Sequence, residues 1–254
     1  MRDPLPHARR RHLRHLAVLG AATFLSACAA PLAYPPSAPA TGKRRAPQER
    51  DFRPADMAKS DIDVAAEVHL TESLGSSRLL MEKLYRRNPR EWRKGGHSSM
   101  EAPLARAFDP KHEFRFAELG QVRSTDAIHL ALKPDYAGDR VFAFSVGLAS
   151  MILAAYNGKT EFYLTDSLDP QKLYNSARNV EIAAWKLGNA RGPGGELLIL
   201  SNEASVDVQN LSFEREIGKI IGYQDAMAII AAQRYNRTIR RSLQSIATAV
   251  FLPI

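Results

Sequence analysis

The sequence predicts a mainly α fold: a single multi-helix bundle-like domain, with a short two-stranded β element as its one addition. Three observations carry this. Helix-capping signals recur along residues 57–254. Between them, apolar residues repeat at three- and four-residue spacing, the period of a helix with one buried face. The composition of the 254 residues, 45% hydrophobic and 24% charged, is that of an ordinary folded protein. It excludes a globally disordered chain and a collagen-like repeat. A single Cys excludes a disulfide-stapled scaffold and a Cys-based zinc site.

The helices are read in chain order from their caps. Ser60 with Asp63 forms a capping box that opens a segment reaching Asn88, where Pro89 stops it. Gly75-Ser76-Ser77 is expected to break that segment in two. Ser98-Ser99-Met100-Glu101 is a second capping box, ahead of a short helix over about 99–107. Ser124 or Thr125 caps a helix ending near Lys133, before Pro134. Asp139 caps a helix to about Tyr156, stopped by Asn157-Gly158. Asp169-Pro170 places a capping carboxylate ahead of proline at the first helical position, and that helix runs to about Leu187, with Gly188 beyond it. Asn210 opens a helix to about Ala232, with Glu214 and Glu216 in its first turn, and a last helix covers about 234–251.

The periodicity agrees with these assignments. Leu173, Ala177, Val180, Ala184 and Leu187 share a face; so do Phe213, Ile217, Ile220, Gln224, Met227 and Ala231; so do Tyr235, Ile239, Leu243, Ile246 and Val250. Val141–Tyr156 is apolar on nearly all sides and, at 16 residues, is read as the central buried helix rather than a membrane span. Residues 161–164 and 196–200 are short apolar runs on either side of the 170–187 helix and are expected to pair as the β element. Gly218, Gly222 and Ala226 lie four apart on one helical face and are expected to seat a neighbouring helix. No internal repeat is evident.

The N-terminus has a different character. Arg2, Arg9, Arg10, Arg11 and Arg14 precede a run of about ten apolar residues, and Leu25-Ser26-Ala27-Cys28 follows. This stretch resembles the signal peptide of bacterial lipoproteins, whose lipobox reads Leu-(Ala/Ser)-(Gly/Ala)-Cys. The resemblance covers residues 1–28 only. It implies that residues 1–27 are a leader, that Cys28 is acylated and becomes the mature N-terminus, and that Ala29 directs the protein to the outer membrane, facing the periplasm. Residues 28–56 then form a lipidated, proline-rich tether, with Pro31, Pro35, Pro36, Pro39, Pro47 and Pro54. Such a tether reaches roughly 30 Å as a coil and about 85 Å as polyproline II. Lys43-Arg44-Arg45 could touch anionic head groups. Residues 57–254 are the helical domain. The leader holds half of the chain's net +8, so the body is only mildly basic, and a nucleic-acid partner is set aside.

Candidate sites are few. Arg86, Arg87, Arg90, Arg93 and Lys94 crowd nine residues with Trp92 among them, a pattern suited to an anionic partner. Arg234, Arg237, Arg240 and Arg241 make a second basic stripe. His69 with Glu72, and Asp126 with His129, are helix-spaced pairs lacking a third ligand, so no metal is expected; no cofactor motif occurs either. Asn236-Arg237-Thr238 fits a glycosylation triplet by coincidence. His97, on the polar loop Gly95-Gly96-His97-Ser98-Ser99, is the one enzyme lead. Ser145-Val146-Gly147 is not a nucleophile elbow, and Gly192-Pro193-Gly194-Gly195 is not a phosphate loop. The expected function is a non-catalytic binding or scaffolding module for another envelope component, held to the membrane by its N-terminal lipid. The alternatives are a hydrolase of cell-wall or lipid material using His97, and a carrier of an apolar small molecule around Val141–Tyr156.

Overall fold

The computed structural model describes residues 53–204, 209–236 and 250–254. Cys28, Lys43-Arg44-Arg45 and most of the expected tether therefore lie outside the described residues. So does nearly all of the last predicted helix, with Arg237, Arg240 and Arg241.

Among the described residues seven α-helices follow one another: α1 (Asp61–Arg87), α2 (Pro89–Lys94), α3 (Glu101–Ala107), α4 (Ser124–Ala131), α5 (Arg140–Ala155), α6 (Pro170–Asn189) and α7 (Ser212–Tyr235). Short 3-10 turns sit at Pro54–Ala58, Pro110–His112 and Ala117–Leu119. The four long helices close a ring of contacts, α1 on α5, α5 on α6, α6 on α7 and α7 back on α1. α4 packs on the outside of α5, and α2 and α3 cover more of it. This enclosure explains why Val141–Tyr156 reads apolar on nearly every side: from Arg140 to Ile152 every residue of α5 is buried. Among the described residues no helix is long and apolar enough to cross a membrane.

The α7 stripe is buried throughout: Phe213, Ile217, Ile220, Gln224, Met227 and Ala231 all face inward. Each large aliphatic member contributes about 1.5–3 kcal/mol on leaving water. Asp139 and Asp169 cap α5 and α6 as expected, accepting from Phe142 N and Gln171 N at 2.9 Å. Ser60 and Asp63 close their capping box at the start of α1.

Several expectations are corrected. Gly75-Ser76-Ser77 does not break α1, which runs unbroken for 27 residues. Ser73, Ser76 and Ser77 are buried, and Ser73 accepts a hydrogen bond from Gln224 of α7 at 3.3 Å. Small side chains here let α7 lie close. The seat expected on α7 is thus on α1 instead; Gly218 and Gly222 are exposed, with open space where a Cβ would stand.

Residues 161–164 and 196–200 do not pair with each other. Leu164 N–H donates to Ala58 O, Phe162 N–H donates to Glu67, and Leu197 bridges Arg191. The two-stranded element forms elsewhere, between β1 (Glu203–Ala204) and β2 (Gln209–Asn210). α3 starts at Glu101 with no side-chain cap, because its N-cap position falls on Met100; the Ser99 hydroxyl bonds the Glu101 carboxylate. α4 is likewise uncapped by Ser124 or Thr125; the Ser124 N–H donates across to Ser150 Oγ of α5 at 2.8 Å. It ends at Ala131, before Lys133, where the Arg140 guanidinium takes the carbonyls of Ala131, Lys133 and Pro134.

Asparagines hold two extended segments onto the bundle. Asn88 donates to Leu200 O and accepts from Leu200 N, both at 2.8 Å. Asn179 does the same for Leu252, at 2.8 and 2.6 Å, and Asn175 donates to Pro253 O. In each case an amide side chain imitates a strand neighbour.

Candidate functional site

Depressions among the described residues include two of similar size. One, of about 380 Å³, opens over the N-terminus of α5 and is lined by His97, Lys94, Arg106, Glu118, Tyr136 and Asp139 among others. The other, of about 370 Å³, lies between the C-terminal ends of α4 and α6.

The first places His97 and Asp139 in one lining, and Asp139 feels a second buried carboxylate, Glu91. Glu91 is fully buried at the start of α2 and accepts from the Arg140 N–H at 2.9 Å and from Lys94 Nζ at 2.8 Å. Asp139 spends Oδ1 on Phe142 N and Oδ2 on the Tyr85 hydroxyl, at 2.9 and 2.8 Å. Both carboxylates therefore serve the positive end of one helix. Burial pushes Asp139 up to about 6, with Glu91 adding to the shift, against the hydrogen bonds from Phe142 and Tyr85. Burial and the Asp139 charge push the Tyr85 hydroxyl far above its ordinary value. On the rim, Arg106 forks onto Glu118 and holds that carboxylate below its usual range. The cleft can hold a proton on Asp139 near pH 6, but both oxygens of that carboxylate are already committed to the fold.

Four of the five cations of the basic cluster are paired with carboxylates of the fold. Arg86 pairs with Glu82, Arg87 with Glu203, and Arg90 and Lys94 with Glu91. Arg93 lies over the Trp92 ring at 4.9 Å. These side chains brace the junction at Asn88 between α1 and α2. Glu91, which organises the cluster, was hidden in the sequence as one acid among five cations; its signal was its place in the first turn after Pro89.

The histidines are separated. His69 of α1 stacks near Tyr223 of α7, ring centroids 5.7 Å apart, and burial lowers its pKa. His129 meets Phe251 edge-on at 5.0 Å. No cluster of three or more His, Cys, Asp or Glu side chains with metal-binding placement occurs among the described residues.

Among the described residues, exposed aliphatic side chains recur along one face of α1. Val64, Val68 and Leu79 are 48%, 52% and 43% exposed, and with Thr71 and Gly75 between them they form one stripe, roughly 22 Å long at 1.5 Å per residue. Sequence reading missed this stripe because α1 was expected in two pieces. Comparison with known proteins finds no matching family, curated protein or solved structure, so the function is read from the chain's own residues.

Proposed function

We propose that this is a lipid-anchored cell-envelope protein, facing the periplasm from the outer membrane, whose helical body is a non-catalytic binding or scaffolding module for a protein partner. The anchor rests on the lipobox at Leu25–Cys28. The binding reading rests on the α1 stripe: aliphatic side chains that the bundle leaves in water, with Gly75 giving an approaching partner room at its middle. An amphipathic helix laid along it would bury Val64, Val68 and Leu79 together.

The test is photo-crosslinking in cells from position 68, followed by affinity capture. One dominant envelope protein is expected, lost on Val64→Glu/Val68→Glu with the melting midpoint unchanged. Unchanged capture by that variant overturns the docking face. Cys28→Ala should abolish palmitate labelling and release the protein from the membrane fraction; continued labelling overturns the anchor.

One observation favours the hydrolase as a second reading: His97 and Asp139 share a cleft, and Asp139 is raised to about 6. On that reading the purified protein releases soluble fragments from isolated cell walls or cleaves lipid esters, and His97→Ala abolishes the activity. Equal activity in the variant removes His97 from the reaction.

A further inference from the structure

The second depression carries an inference that goes beyond this reading and does not depend on it. Its floor is apolar: Leu132 and Pro134 after α4, Trp185 and Ala190 at the end of α6. Trp185 is 41% exposed and leaves part of its large ring open beside the groove. Lys133 and Lys186 also line it, and among the described residues no carboxylate lines the groove. Lysines near helix C-termini ordinarily answer the free carbonyls there. Here that role is taken: the buried Arg140 guanidinium already satisfies Ala131, Lys133 and Pro134 O. Lys133 thus adds positive charge to an end that is already answered, and Lys186 brings a second cation from the last turn of α6. His129 feels it, its pKa lowered first by burial and then by Lys186, more than Asp126 one turn earlier can offset.

An apolar floor of this size suits a small molecule rather than a protein surface. Its cationic rim suits an acid. We propose that the Trp185 groove is a binding site for an amphiphilic anion, an acyl chain lying on Trp185, Leu132 and Pro134 with its carboxylate or phosphate head between Lys133 and Lys186. This groove lies between α4 and α6 and is separate from the apolar-molecule site expected around Val141–Tyr156; near it stands Phe251, whose ring lies 5.6 Å from Lys186 Nζ.

The experiment uses the full chain produced without acylation. Trp92→Phe leaves Trp185 as the only indole, and its fluorescence is followed while decanoate, decyl phosphate, decanol and decyltrimethylammonium are added below their micellar concentrations. A saturable change is expected with either anion, at least tenfold tighter than with decanol or the cation. The tighter anion names the head group. Lys133→Gln/Lys186→Gln should weaken the anions at least tenfold and leave decanol unchanged. Calorimetry on the unsubstituted chain repeats the comparison without touching Trp92. No saturable anion binding in either format, or equal binding of all four compounds, overturns the proposal. Val64→Glu/Val68→Glu should not alter decanoate binding, so this site and the α1 face stand or fall separately.

Discussion

Asp139 shows how one side chain can couple fold and acidity. Its carboxyl caps α5 and receives the Tyr85 hydroxyl while only 8% exposed. Raised to about 6 by burial, it binds its proton more tightly folded than unfolded, where an aspartate titrates near 3.9. Its contribution to stability is therefore complete below about pH 4 and is lost as pH rises through about 6. Glu118, Glu161 and Asp166, whose pKa values are lowered by Arg106, Arg53 and Lys159, act in the opposite sense. Comparison with Asp139→Asn isolates the one group. In urea titrations the variant should gain about 2–3 kcal/mol on the native chain between pH 4 and pH 7. A difference that stays constant with pH would show that Asp139 does not titrate in this window. Gly147 makes a steric argument at the same scale. A Cβ there would stand 2.7 Å from Ile128 N and Ser124 O, both backbone atoms of α4. Gly147→Ala should lower the unfolding free energy by about 1–3 kcal/mol, since the two helices must part to admit one methyl group.

At the scale of elements, capping chemistry was legible wherever the cap bonds its own helix, as at Ser60, Asp139 and Asp169. It was illegible where a neighbour supplies the bond. Ser124 carries a cap-forming side chain, yet its N–H is satisfied by Ser150, 26 residues away. Gly75-Ser76-Ser77 shows the same limit. Locally the three residues weaken a helix; in the fold the serines are buried, Ser77 bonding Ser73 O within α1, and the glycine faces water. Gly75 sits in a helix interior, and a methyl group there would meet nothing within 4 Å. Gly75→Ala should therefore raise stability by about 0.5–1 kcal/mol in urea titrations. Destabilisation would mean that α1 needs its flexibility. The candidate site was less legible than the fold. His97 and Trp92 stand out in sequence, but Glu91, Tyr85 and Asp139 meet only because α1, α2 and α5 converge, across separations of up to 54 residues. The Trp185 groove needs α4 and α6 side by side, which no local pattern encodes.

For the whole molecule, the described body starts with a clasp. Arg53 pairs with Glu161, Lys59 lies between Asp56 and Glu67 with 2% of its side chain exposed, and Ala58 O receives Leu164 N. Glu67 also receives the Phe162 N–H, so the clasp ties the start of α1 to the 161–164 segment. Residues 53–56, assigned by sequence to the end of the tether, take part in it. A body beginning at Arg53 should melt several degrees above one beginning at Ser60, because removing Lys59 strips a buried partner from Glu67. Equal midpoints would mean that the clasp contributes nothing to the fold. The clasp also decides how the molecule bears load. A pull through the proline-rich segment enters at Arg53 and meets these few bonds before it reaches α1. As the first bonds such a pull meets, they are expected to yield first, freeing residues 53–59, whose full contour is roughly 25 Å at about 3.5 Å each, while the four-helix ring stays shut. A protein held by one end in a moving surface would thus stretch by a short, reversible step and keep both of its exposed faces in shape.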